Sequence, residues 1–329
     1  MMLKSLLKNT MAKLKPIQAY YSGIATIFML HRVDSHDSSK LAANENMKVS
    51  PEFLEGFVKH LLDQGYDIIS LDDLYAILID QKPVSNKVVF TFDDGYRDNL
   101  TKALPIFEKY NIPFTIYITT SFPDRSAVLW WYALEDILLN NNIIELNDGT
   151  VYQCGDSIEK QKVFLILREK ILKLDQINLL SNLEDLFQHY EINWALYLED
   201  LALSWPQIAN LAQHPLVTIG GHTLNHYAFN KLSTSQIVYE VREANRHLES
   251  MIGKPIDHFA YPFGSVNEVS GTEYEVVKTL GLKTVTTTRR GNVFLEHVNY
   301  LESLPRVMLT NSFELSNMFV PTKSRVVTL

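Results

Sequence analysis

The run Lys87-Val88-Val89-Phe90-Thr91-Phe92, followed at once by Asp93-Asp94-Gly95-Tyr96, decides how the chain is read. A stretch so rich in β-branched and aromatic residues fits a strand buried on both faces, as a parallel sheet covered by helices requires. The flanking segments keep the same rhythm. Residues 24–30 read as a first strand that ends in His31-Arg32. Ser50-Pro51 supplies an N-cap and a Pro at the first helical position, and the helix runs to about Gln64 before Gly65 stops it. A short strand at 67–70 and a helix to about Asp80 follow. Beyond 87–92 the pattern predicts a helix over about 99–110 and a strand at Phe114–Ile118. This alternation predicts a parallel sheet, open or closed, with its chemistry at the carboxyl ends of the strands. Asp93 and Asp94 sit at such an end.

The rhythm stops near Phe122-Pro123. Residues 130–200 read as mainly helical, with a hairpin at Asn147-Asp148-Gly149 and a helix over 160–174. The block at about 125–204 is taken as an insertion. From Trp205 the rhythm resumes, with a helix from Ser204-Trp205-Pro206 and a strand at 217–219 that ends in Gly220-Gly221-His222. A helix over 233–251, closed by Gly253, leads to a strand at 259–261 that ends in Pro262-Phe263-Gly264, and to another at 284–288.

With 329 residues the chain is long enough for two average domains or one large α/β barrel with an insertion. The second fits the pattern: a basic amphipathic segment, 1–20, then one domain over 21–329 interrupted by the insertion. A hydrophobic content of 46% with 21% charged residues excludes wholesale disorder. A net charge of −8 argues against a nucleic acid partner. Cys154 is the single cysteine, so no intrachain disulfide forms, and no signal peptide is recognised. The expected location is cytoplasmic. Lys4, Lys8, Lys13 and Lys15, set among Leu3, Leu6, Leu7, Met11 and Leu14, would let residues 1–15 touch the inner face of a membrane. A helix packed on its own domain, or a frayed terminus, is the plainer reading of that segment.

Histidines four apart, His222 and His226, would lie on one face of a helical turn, where both reach one metal ion. Such a pair also arises by chance from capping or surface histidines. Adjacent carboxylates on a regular strand point to opposite faces, but Gly95 lets the alternation break. Two neighbouring carboxylates repel unless a cation lies beside them. One Asp can then bind the ion while the other stays free as a base. An Asp-Asp-Gly turn without chemistry is equally common. Taken together, one Asp and two His make an open site of the catalytic zinc kind. An ion there acidifies water and polarises a carbonyl, the second Asp is a general base, and backbone N–H groups stabilise an oxyanion. This is the chemistry of amide or ester hydrolysis.

At these residues the sequence resembles the polysaccharide deacetylases of the NodB-homology type, carbohydrate esterase family 4, and within them the poly-N-acetylglucosamine deacetylase branch. The resemblance runs from the first strand to about Arg306, interrupted by the insertion. It implies an α/β fold, a distorted or incomplete TIM-like (β/α) barrel with a mainly helical insertion. Thr91-Phe92-Asp93-Asp94-Gly95 matches the family motif in full, which implies Asp93 as catalytic base and Asp94 as metal ligand. His222 to His226 matches the His-Ser/Thr-x-x-His motif and completes the ligand set. Pro262-Phe263 match the third motif, with the Phe263 N–H in the oxyanion hole, but Phe259 stands where the family has Arg. Arg306, in Leu304-Pro305-Arg306, is the candidate replacement; the alternative is a surface Arg on a terminal strand. The family's fourth motif is not found near 284–290.

Leu295-Glu296-His297 matches the fifth motif, which implies His297 as general acid. His31, Tyr96, Tyr261, Pro262 and Phe263 are the expected substrate contacts. Trp130, Trp131 and Tyr132 are read as core packing in preference to a sugar platform. The implied activity is removal of N-acetyl groups from an amino-sugar polysaccharide, oligosaccharide or precursor. It needs one divalent ion, zinc first, with cobalt, nickel or manganese able to substitute. Two other readings compete. A glycan-binding protein on the same fold is suggested by the missing Arg and fourth motif. A glycoside hydrolase would need two separated carboxyls, which an adjacent pair beside two histidines suits less well.

Overall fold

A computed structural model describes residues 21–193 and 196–318. The expectations for residues 1–20 lie outside the described residues. Parallel strands form the centre: β1 (Ala25–Leu30), β2 (Lys87–Phe92), β3 (Phe114–Ile118), β4 (Val217–Gly221), β5 (His258–Ala260), β6 (Thr284–Arg290) and β7 (Leu304–Met308). Each is hydrogen-bonded to the next in sequence, and β1 pairs with both β2 and β7, so the sheet closes. The result is a (β/α) barrel of seven strands where the commoner form has eight. A two-residue strand, Asp67–Ile68, pairs with the entry half of β2, below the point where β3 joins it.

Strand alternation sorts the side chains into layers. Ala25 and Ile27 of β1 share the barrel interior with Val89, Tyr117, Ala260 and Leu304. Phe28 and Leu30 face outward with Phe90, Phe92, Phe114 and Ile116. The helices Pro51–Asp63, Leu104–Tyr110, Trp205–Gln213 and Thr234–Ile252 cover that outer face with Phe57, Leu61, Phe107, Ile208, Leu211 and Leu248. Each fully buried side chain of this kind contributes about 1.5–3 kcal/mol. Burial on both faces therefore outweighs the sub-kcal strand propensities in holding residues 87–92 extended.

Local signals set the element ends. Ser50 accepts from the Phe53 N–H, Pro51 follows, and the chain leaves that helix through Gly65 at φ 78°. Ser233 and Gln236 form a capping box at the start of the long helix, and Gly253 ends it at φ 70°. One expected helix differs. Residues 99–110 divide into a π-helical turn, Asn99–Ala103, and an α-helix, Leu104–Tyr110. Pro105 has no N–H to give to the preceding turn, and the Asn99 side-chain amide donates instead to the His31 carbonyl at 2.9 Å.

The helix Leu71–Ile79 lies at the amino-terminal end of the barrel. Its Leu71, Leu74 and Leu78 join the interior cluster and close that end. Between β3 and β4 the insertion forms helices Trp130–Asn140, Ser157–Ile171, Leu179–Leu186 and Leu196–Leu201 and a hairpin of Ile143–Glu145 with Val151–Gln153. Leu134, Leu138, Ile144, Phe164, Leu167, Leu183 and Phe187 give it a core of its own. Its second helix starts earlier than the expected 160 because Asp156 caps it, accepting from the Glu159 N–H at 2.8 Å. Among the described residues no helix is long and apolar enough to cross a membrane.

Candidate active site

Asp93 and Asp94 follow the last residue of β2. Asp93 keeps strand pairing, its N–H donating to the Leu30 carbonyl at 2.9 Å. Asp94 then adopts φ 76° and Gly95 φ 93°. The break in alternation thus falls on Asp94 as well as on Gly95, and both carboxyls line one cleft of about 440 Å³. Gly95 is required for a second reason: a Cβ there would lie 2.9 Å from the Ile118 side chain.

His222 and His226 come from the loop after β4. The expected helical turn is absent. Thr223 and His226 have φ of 68° and 60°, and this loop geometry brings the two rings to 5.1 Å. The loop is held from below. The buried Glu240 carboxylate accepts from the N–H groups of Leu224 and Asn225 at 3.1 and 2.9 Å and from the Asn225 amide at 2.7 Å. Thr223 Oγ1 accepts from the His226 N–H.

The Asp94, His222 and His226 ligand atoms all lie within 4.8 Å of one another. The Ala260 carbonyl, 2.7 Å from His222 Nδ1, can only accept, so that nitrogen carries the proton and Nε2 presents a lone pair. Nε2 of His222 and of His226 lie 3.4 and 3.2 Å from Asp94 Oδ1, which is buried without a hydrogen-bond partner. One carboxylate oxygen and two imidazole nitrogens, converging and otherwise unsatisfied, fit a divalent cation.

Asp93 faces a different partner. Arg306 on β7 donates from Nη1 and Nη2 to its two oxygens at 2.6 and 2.7 Å. Arg306 is fully buried in the barrel interior, and its Nε donates to the Thr287 carbonyl and Nη1 also to Thr91 Oγ1. Burial raises the Asp93 pKa, but the guanidinium overrides it and the net direction is down. Phe259, by contrast, points into the helical layer beside Phe229 and Tyr261. The cation beside the catalytic-base candidate thus comes from a different strand.

The other expected site residues separate. His31, one residue past β1, lines the cleft with Nε2 4.0 Å from Asp93 Oδ2 and Nδ1 buried without a partner; burial lowers its pKa against the pull of both aspartates. Tyr96 also lines the cleft, under the Arg32 guanidinium at 5.4 Å. Phe263, at φ 59°, sets its ring 4.9 Å from that of His226. Pro262 shapes the turn without lining the cleft. Tyr261 is corrected from substrate contact to core residue: it alternates with the inward-facing Ala260, and its hydroxyl donates to the Glu302 carbonyl.

His297 is likewise corrected. It lies in the turn Leu295–Asn299, which follows Val293, the partner of Ala25 at the start of β1, and which accepts from Gln81 near the closing helix. This is the end of the barrel opposite Asp93. The ring is fully buried, Nδ1 accepts from the Phe294 N–H, and burial pushes its pKa down to about 4.

Arg32 and Glu240 escaped the sequence reading, and Trp131, read there as core packing, lines the cleft. Arg32, buried next to His31, donates to Asp98 at 2.8 Å and to the Tyr132 hydroxyl at 3.3 Å, joining the barrel to the insertion. Trp130, Trp131 and Tyr132 all line the cleft, Trp131 with its ring 5.7 Å from that of His226 and Trp130 while also buried in the core of the insertion. Glu240 has a visible signal, an acid on the buried stripe of Ile237, Val241, Ala244 and Leu248.

Comparison with known proteins gives consistent matches. The sequence model described as polysaccharide deacetylase matches residues 80–285. A Bacillus subtilis (strain 168) protein named "Putative polysaccharide deacetylase YxkH" is 33% identical over 93 residues, 28% of this chain and 30% of that protein. The Escherichia coli (strain K12) poly-β-1,6-N-acetyl-D-glucosamine N-deacetylase is 22% identical over 306 residues, 84% of this chain and 36% of that protein. The matches thus span about a third of these relatives' lengths. Among solved structures, the Streptococcus pyogenes deacetylase PplD superposes with a TM-score of 0.61 at 18% identity, covering 90% of this chain and 98% of that one. IcaB from Ammonifex degensii gives 0.56 at 17% identity, with 88% and 92% covered.

Proposed function

We propose that this chain, which belongs to the polysaccharide deacetylase family, hydrolyses the N-acetyl group of an amino sugar in a glycan, with Asp93 as base and Asp94, His222 and His226 holding a divalent ion. The observation that carries the reading is the division of labour between two adjacent carboxylates. Asp94 faces the Nε2 atoms of two imidazoles, and Asp93 is locked in a bidentate pair with buried Arg306. A glycan-binding protein would have no use for a base kept ionised in this way. The ion, zinc first, would supply Lewis acidity, polarising the amide carbonyl and lowering the pKa of water.

The residues divide the remaining work. Arg306 keeps Asp93 charged and oriented, so the carboxylate accepts a proton as water oxygen bonds to the acetyl carbon. The Phe263 N–H lies on the turn beside His226 and is the donor proposed for the developing oxyanion. With His297 at the far end, His31 is the imidazole available to the leaving nitrogen. As the C–N bond breaks, the proton that Asp93 took from water passes through neutral His31, whose Nε2 lies 4.0 Å away, to the amine nitrogen, which returns both side chains to their starting states. The similarity to the Escherichia coli poly-β-1,6-N-acetyl-D-glucosamine N-deacetylase makes β-1,6-linked N-acetylglucosamine the first substrate to try.

Elemental analysis and acetate release test the reading together. About one divalent ion per chain is expected in the wild type, and none in Asp94→Ala or in the His222→Ala/His226→Ala double variant. Asp93→Asn should keep the ion and lose about 10²–10⁴-fold in kcat. Unchanged acetate release by Asp93→Asn would remove it as base. Absence of bound metal after zinc or cobalt loading would favour the glycan-binding alternative.

A further inference from the structure

In the proposed reaction His31 must keep its place beside Asp93, yet its own ring is weakly held. Its Nδ1 is buried without a partner, and its Nε2 lies 4.0 Å from Asp93 Oδ2, beyond hydrogen-bond reach. Its position is therefore set through the main chain, and one turn supplies the bonds that fix it. The Asn99 side-chain amide donates to the His31 carbonyl at 2.9 Å. Asp98 accepts from the Val33 N–H at 3.2 Å through Oδ1 and from Arg32 Nε at 2.8 Å through Oδ2. Asn99 also donates to Asp98 Oδ1 at 3.2 Å, which ties the two side chains together. Both stand at the entry to the π-helical turn Asn99–Ala103, a rare form that recurs at functional sites.

The His31 carbonyl can only accept, so the Asn99 amide nitrogen turns toward it and Oδ1 is left buried without a partner. An unsatisfied buried acceptor costs about 1–3 kcal/mol. Asn99 is wholly buried and does not line the cleft, so it meets His31 from behind and not the substrate.

We infer that Asn99, with Asp98 and Arg32 behind it, is a positioning residue for the proton transfer through His31. The inference rests on the proposed relay from Asp93 to the leaving amine. A proton carrier works within about 2.6–3.2 Å of its partners, and a misplacement of about 1 Å can cost about 10²-fold. The transfer matters only where the leaving group needs a proton. An amine does; the 4-nitrophenolate of 4-nitrophenyl acetate departs as a stable anion. The ratio of amide to ester hydrolysis therefore reports the relay, whereas damage to the fold, the metal site or Asp93 lowers both rates.

The test uses the full chain loaded with zinc, a β-1,6-linked N-acetylglucosamine trimer and 4-nitrophenyl acetate. Asn99→Leu should lower kcat on the trimer about 10–100-fold, with KM within about twofold and ester hydrolysis within about threefold. Asp98→Asn keeps an acceptor for the Val33 N–H, and should show the same split to a smaller degree even if Asn99→Leu fails to fold. His31→Ala should show the split in full, and adding Asn99→Leu to it should cost less than about a further twofold, because the two act as one unit. In the zinc-free protein the His31 imidazole nitrogen resonances, assigned by their loss in His31→Ala, should move in Asn99→Leu. Equal losses on amide and ester, unmoved resonances, or full additivity with His31→Ala would overturn the inference alone. An unchanged amide-to-ester ratio in His31→Ala itself would overturn the relay, and the inference with it.

Discussion

At the carboxyl ends of the strands, Asp94 Oδ1 and His31 Nδ1 are buried without partners, and Asp94, Thr223, His226 and Phe263 all hold positive φ. At the amino ends, Leu71, Leu74 and Leu78 fill the barrel from below. Strained non-glycine residues of the first kind cost about 1–3 kcal/mol each, whereas each leucine of the second contributes about that much. The carboxyl-end groups named here thus weaken the fold and the three leucines strengthen it, although the amino end also carries positive φ at Gln81 and Asn86 and an unpartnered Nε2 on His297. The end that holds the candidate chemistry is assembled at the expense of stability, and the leucine cluster offsets part of that cost. Arg306 spans the middle, packed over Tyr117 in the interior and paired to Asp93 above.

This separation can be broken by four measurements. Arg306→Met should give the largest change, about 3–5 kcal/mol lost in urea unfolding, because Asp93 is left as a buried uncompensated charge. Adding Asp93→Leu should recover most of that loss while leaving no activity. If the double variant is as unstable as the single, the buried charge is not the cause. Next, Leu74→Ala should cost about 2–5 kcal/mol, with kcat per folded molecule unchanged within twofold. A tenfold fall in kcat at a temperature where the variant is folded would show that the ends are coupled.

The third measurement is a pH titration of stability. His297 has a folded pKa near 4, below the ordinary 6.5 of the unfolded chain. Its contribution is therefore intact above pH 6.5 and is lost as the pH falls toward 4, at most about 3 kcal/mol. His297→Gln should flatten that slope and leave acetate release at neutral pH unaltered; a collapse of activity would return His297 to the site. The smallest effect belongs to Glu240→Gln. It turns an acceptor toward a donor under the histidine loop and should weaken metal binding about 10–100-fold, with the cobalt spectrum altered and the melting temperature little moved. Unchanged metal affinity would mean that the loop holds its shape without Glu240.

What was legible in the sequence follows the range of the interactions. Asp93, Asp94, His222 and His226 are set by short loops directly after strands, so their convergence is written locally. Arg306 was reached only by asking what else could face Asp93, since nothing near Pro305 marks it. His297 misled because three residues match a motif whether they lie at one end of a barrel or the other. Tyr261 misled for a reason the sequence did contain: period-two alternation puts Phe259 and Tyr261 on the face opposite Ala260. The role of Trp131 depends on how the insertion folds back over β4, a contact between segments about 90 residues apart in the chain.

The closing helix Leu71–Ile79 has one more implication. With Tyr117 and Arg306 filling the middle of the barrel, it leaves the cleft beside Asp93 its doorway at the carboxyl end among the described residues. Whatever enters and whatever is split off must share that doorway, so a small acid fragment released at the inner wall departs past the larger product or after it. For the proposed reaction on a long glycan, added acetate should then compete with the glycan for entry.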